Sequence, residues 1–177
     1  MRPLKFLIGF LLLPFCWAST ISVVALVQSL RVETVSEVPL SAWWLLGGFL
    51  IWLFLFATLP RPMRTYVLGH ELTHAFWALL MGARVSRLRV SARGGSINVS
   101  KSNWIITLAP YFFPFYTVLV FLLYRGLSLF YDLRTYEPFW LALIGLTWSF
   151  HLTFTLAVLM QHQPDVQEHG RLFSYSV

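Results

Sequence analysis

The chain has 177 residues, 58% of them hydrophobic, 18% aromatic and only 11% charged, with a formal net charge of +6. This composition excludes an ordinary soluble domain and points to a polytopic membrane protein. The basic residues lie mostly at the ends of apolar runs and in one short loop, so their excess suits anionic lipid headgroups rather than nucleic acid.

Five apolar runs reach or approach the length needed to cross a bilayer core of about 30 Å: Leu4–Leu30, Leu40–Leu59, Tyr66–Met81, Trp104–Tyr124 and Pro138–Met160. The fold expected is an all-α polytopic membrane protein of about five transmembrane or re-entrant helices. Arg2 and Lys5 stand at the start of the first run as in a secretory signal, but its apolar residues continue past Cys16-Trp17-Ala18 to Leu30 with no clean small-x-small site, which favours a retained anchor. Cys16 is the only cysteine, so neither an internal disulfide nor a thiolate zinc cage can form. Residues 1–64 therefore read as two anchor helices joined by the polar loop Arg31–Pro39. The N-terminal basic pair and the Arg61–Arg64 cluster both read as cytoplasmic, and Pro60 and Pro62 break the chain before the next helix.

The third run carries His70-Glu71-Leu72-Thr73-His74. On a helix, His70 and His74 leave one face about a turn apart and can share one zinc ion, while Glu71 beside them can take a proton from water. Ionisable groups inside an apolar segment are costly, which makes an idle cluster there less expected than a metal-binding one. The competing reading is a hydrogen-bonded structural cluster.

After Gly82 the sequence alternates polar and apolar residues, Arg84 to Val90 and again Ser96 to Ser100, which predicts a β-hairpin over 84–100 with its turn at Gly94-Gly95, the competing reading being an irregular basic loop. In the fourth run, Pro110 and Pro114 remove two backbone donors four residues apart and should kink or open that helix. Such a break could make room for substrate or be a packing kink only. Pro138 starts the last run.

A catalytic zinc site needs a third protein ligand besides the two histidines. His151 is the only ionisable residue between Pro138 and Met160. At 1.5 Å per residue it lies roughly 20 Å along its helix, close to the roughly 15 Å of His74 measured from Arg64. The competing reading for His151 is a hydrogen bond to Thr147 or Thr155. Asp165, just after the run, is the other candidate, and it requires a re-entrant third helix or a chain reversal at Pro164. His162 and His169 flank Asp165 at helical spacing; they read as interfacial polar residues, with a separate cluster as the competing reading.

A His-Glu-x-x-His in a membrane helix, followed by a Gly-Gly hairpin and a proline-interrupted helix, resembles the site-2 protease family of intramembrane zinc metalloproteases. The resemblance covers Tyr66 to about Arg171. It implies a metalloprotease-like membrane core over 65–177, cleavage of membrane-embedded or membrane-adjacent peptide bonds, and a third zinc ligand from a later aspartate. That family's Asn…Pro…Leu-Asp-Gly segment is absent; its nearest counterpart is Gln163-Pro164-Asp165, and no PDZ-like domain is inserted. The third ligand thus stays open between His151 and Asp165.

The expected activity is hydrolysis of a peptide bond in a membrane-protein or peptide substrate, with Zn2+ as cofactor and Glu71 as general base. The alternatives are a zinc-dependent membrane hydrolase acting on another bond and a non-catalytic membrane adaptor that retains the fold. Asn98 and Asn103 are positioned as candidates for oxyanion stabilisation.

Overall fold

The computed structural model describes residues 2–29, 38–161 and 163–177. The expected loop Arg31–Pro39 falls almost wholly outside the described residues, and so does His162. The chain divides into two compact units, one made of residues 1–38 with 162–177 and the other of residues 39–161.

The first unit contains the long helix α1 (Arg2–Ser29) and, from the other end of the chain, two short helices, α7 (Pro164–His169) and α8 (Arg171–Ser176). Helix α8 lies directly on α1. A Cβ at Gly9 would meet the Phe173 backbone at 2.8 Å, and the Cys16 thiol donates to the Ser176 carbonyl at 3.2 Å. Gly170 joins the two short helices at φ 89°, a left-handed value that glycine adopts without strain.

The second unit holds α2 (Leu40–Thr58), α3 (Met63–Leu80), the strands β1 (Val85–Ser91) and β2 (Gly94–Val99), then α4 (Trp104–Phe112), α5 (Phe115–Leu127) and α6 (Glu137–Leu159). Helices α2 and α6 cross at backbone contact. A Cβ on Gly48 would lie 1.8 Å from the Ala142 carbonyl oxygen, and one on Gly145 1.9 Å from that of Leu45. Small residues at such a crossing let two helices approach closely where no hydrophobic force separates protein from lipid. The Trp52 indole, donating to Thr153 Oγ1 at 2.9 Å, locks the same pair. Trp52, Tyr66, Val67, Phe150, Phe154 and Val158 form the core beneath the crossing. Tyr66 stacks on Phe154 with ring centres 4.7 Å apart, which fixes α3 against α6.

Three of the described helices are long and apolar enough to cross a membrane: α1, α2 and α6. The fourth apolar run forms α4 and α5, two helices bent by 77° that would count together as one further span. Tyr66–Met81 forms most of α3, which is not among them; Arg64, His70, Glu71 and His74 lower its apolar character. Large apolar side chains face outward over much of the surface, including Phe15 at 71% and Trp17 at 69% exposure.

The proline-rich run breaks at Phe113-Pro114, whereas Pro110 stays inside α4. Asn103 caps α4, its side-chain oxygen accepting from the Ile106 amide at 3.0 Å. The hairpin forms as expected, but its turn is at Ala92-Arg93 rather than Gly94-Gly95. The glycines instead open β2. Gly94 takes φ 143°, and Gly95 lies where α3 leaves no space for a side chain.

Candidate metal centre

Helix α3 places His70 and His74 one turn apart, and their Nε2 atoms converge to 3.1 Å. Each ring is held from behind. His74 donates through Nδ1 to the Ile106 carbonyl at 2.7 Å, and the Nδ1 of His70 lies 3.3 Å from the Tyr66 hydroxyl. A carbonyl only accepts, so His74 carries its proton on Nδ1 and presents the Nε2 lone pair. With the His70 proton on Nδ1 toward Tyr66, two lone pairs face one another and a cation between them is favoured. With that proton on Nε2, the rings hydrogen-bond to each other.

The spacing fits a shared zinc ion. Two nitrogens each about 2.0–2.1 Å from one ion and separated as these are would subtend roughly 100° at it, near the tetrahedral value. The backbone carbonyl behind the His74 ring is also the kind of outer partner that orients a metal-binding histidine.

The Ile106 carbonyl is free for His74 because of a local feature of α4. In a regular helix it would accept the amide of residue 110, but that residue is Pro110 and has no N–H. The same logic applies at the end of α4, where the last carbonyls have no helical donor. His151, on α6, takes one of them by hydrogen-bonding the Tyr111 backbone. Its partner is therefore this carbonyl and not Thr147 or Thr155; Thr147 bonds the Leu143 and Ile144 carbonyls at 2.8 and 3.2 Å.

His70 and His151 line one cleft with Tyr66, Gly69, Thr73 and Tyr116. Its free volume of about 20 Å³ is sufficient for a single water molecule. Tyr116 closes one side, donating to the Thr65 carbonyl at 2.7 Å and packing where a Cβ on Gly69 would be only 2.6 Å away.

Glu71 is 7% exposed and lies under the hairpin. A Cβ on Gly95 would come within 2.7 Å of its Cγ and 2.8 Å of its Oε1, so the strand backbone rests on the carboxylate. Asp165 stands in the first turn of α7 and His169 in its last turn, both in the other unit. Asn103 is engaged twice, as the α4 cap and through Nδ2 to the Met81 sulfur at 2.9 Å, and Asn98 pairs with Ser86 across the hairpin. The sequence reading missed Tyr66, Tyr116 and the Ile106 carbonyl. Tyr66 was detectable as the residue four before His70; the carbonyl was detectable only as the partner that Pro110 leaves unbonded. Comparison with protein-family models, curated proteins and solved structures finds no match to this chain.

Proposed function

We propose that this chain is a multi-pass membrane zinc metallopeptidase of the site-2 protease type, hydrolysing peptide bonds within or next to the bilayer. The membrane setting is supported by the three long apolar helices and the large apolar side chains they expose, which water would not tolerate over so wide a surface. The observation that carries the catalytic reading is the pair of imidazole Nε2 atoms 3.1 Å apart, each ring fixed through its Nδ1, on the helix that also bears a buried Glu71.

His70 and His74 would hold zinc, with His151 or Asp165 as the third protein donor. His151 is supported by the cleft it shares with His70, and Asp165 by family resemblance. When bound, zinc supplies Lewis acidity that polarises a scissile carbonyl and makes water more acidic. Glu71 accepts the proton of the attacking water and delivers it to the leaving amine. Tyr66 and the Ile106 carbonyl keep the two imidazoles oriented. The cleft admits little bulk water, and the hairpin edge can hold an unwound peptide extended by strand addition.

The test is metal analysis and proteolysis of the full chain purified in mild detergent. Glu71→Gln is expected to retain zinc and lose turnover by a factor of about 10²–10⁴, while His70→Ala and His74→Ala lose zinc. Undiminished proteolysis by Glu71→Gln sinks the reading. Zinc without cleavage of any peptide substrate points to hydrolysis of another bond, and no zinc at all points to an adaptor.

A further inference from the structure

The first unit contains a cavity of about 340 Å³ lined by Pro3 and Phe6 of α1, His169 of α7, Gly170, and Arg171, Leu172 and Phe173 of α8. This lies within the size range of small-molecule sites. His169 is only 6% exposed, and its Nε2 has no hydrogen-bond partner among the described residues. Its Nδ1 is taken by the Lys5 ammonium. An ammonium only donates, so Nδ1 accepts and the ring proton resides on Nε2. Burial, and then the Lys5 charge, hold the His169 pKa below the usual histidine value, which keeps the ring in this neutral form. A buried N–H donor without an acceptor is costly, and here it belongs to a wall of the cavity.

The second polar group of the lining is the Arg171 guanidinium, a fork suited to phosphate oxygens. Among the described residues no carboxylate lines the cavity; Asp165 and Glu168, which act electrostatically on His169, are outside it. The remaining walls are apolar, and Phe6 continues into the exposed apolar face of α1 through Leu7 and Phe10. A buried donor that needs an acceptor and an exposed guanidinium that favours an anion, next to an exposed apolar face, match a ligand with both parts.

We propose that this cavity binds the phosphodiester headgroup of an anionic phospholipid, with His169 Nε2–H and Arg171 as donors and Phe6 and Leu172 against its hydrocarbon. The assignment rests on the membrane reading above, not on the hydrolytic one. Lys5 is a positioning residue that sets the His169 tautomer.

The experiment titrates the full chain in neutral detergent with dioctanoyl phosphatidylglycerol, dioctanoyl phosphatidylcholine and inorganic phosphate, followed by native mass spectrometry. Phosphatidylglycerol should bind the native chain best. Loss of one charge-assisted hydrogen bond in His169→Leu or Arg171→Gln should weaken it about tenfold or more. His169→Gln, which retains an N–H donor, should bind close to the native level, and Arg93→Gln on the hairpin should be unaffected. Equal binding by His169→Leu, by phosphatidylcholine or by phosphate alone overturns the proposal. The readout involves neither zinc nor proteolysis, so failure of the hydrolase reading leaves it standing. Release of the chain from membranes by alkaline carbonate would remove the membrane reading beneath it.

Discussion

His74 and Pro110 are coupled through one carbonyl: Ile106 accepts the His74 Nδ1–H at 2.7 Å, and the helical donor that would claim that oxygen is missing because residue 110 is proline. A proline inside a buried helix usually costs stability. Here the unbonded carbonyl is satisfied by the His74 ring that it orients, so part of the cost is offset.

Pro110→Ala returns an N–H to α4 that competes for the Ile106 oxygen. Zinc affinity, measured by competition with a chelator, should fall by about 10–100-fold, the usual effect of losing an outer partner of a metal-binding histidine. Native affinity in this variant would show that the carbonyl does not orient His74.

The third donor of the proposed zinc site is separable by metal content. His151→Ala and Asp165→Asn should differ in zinc content after gentle purification, the true ligand behaving like His70→Ala and the other retaining metal. Since His151 also bonds the Tyr111 backbone, His151→Ala should be accompanied by a melting curve in detergent to separate lost metal from a loosened α4 end.

Gly95→Ala forces a methyl group into the space of the Glu71 side chain. Under the proposed hydrolytic reading, zinc should remain bound while kcat falls by about tenfold or more, since displacing Glu71 from its proposed role as general base would lose much of a 10²–10⁴-fold contribution. Activity and zinc both at native level would show that the hairpin yields freely above the carboxylate.

Gly145→Leu collides with the Leu45 carbonyl and the Phe49 amide at the crossing of α2 and α6. Overpacking there should cost at least about 1–3 kcal/mol, read as a lower Tm. Gly47→Leu, on the partner helix α2 but with open space around its Cβ position, should leave Tm nearly unchanged.

Local rules carried the sequence reading a considerable distance. Apolar runs of sufficient length mark α1, α2 and α6, because helix rise per residue converts length directly into span. The i, i+4 spacing of His70 and His74 determines that their rings share a face, and period-two alternation marks the hairpin, since both follow from the geometry of a single element. What that reading misjudged concerns contacts between elements. The turn at Ala92-Arg93 was missed because Gly94-Gly95 resembles a turn locally, while the actual demand on Gly95 comes from Val67 and Glu71 on α3. The opening expected of the proline-rich run does occur, at Phe113-Pro114, while Pro110 stays inside α4 with the Ile106 carbonyl bonded by His74.

The sequence by itself determined a helical, strongly apolar chain with two histidines and a glutamate on one short helix, because those features need only local spacing and composition. Only the tertiary structure decided which atoms hold the histidines, that His151 borders the cleft of His70, and that a strand backbone rests on Glu71. Those are hydrogen bonds and steric contacts between residues distant in the chain. Their geometry is set by how α3, α4, α6 and the hairpin pack, which no single segment encodes.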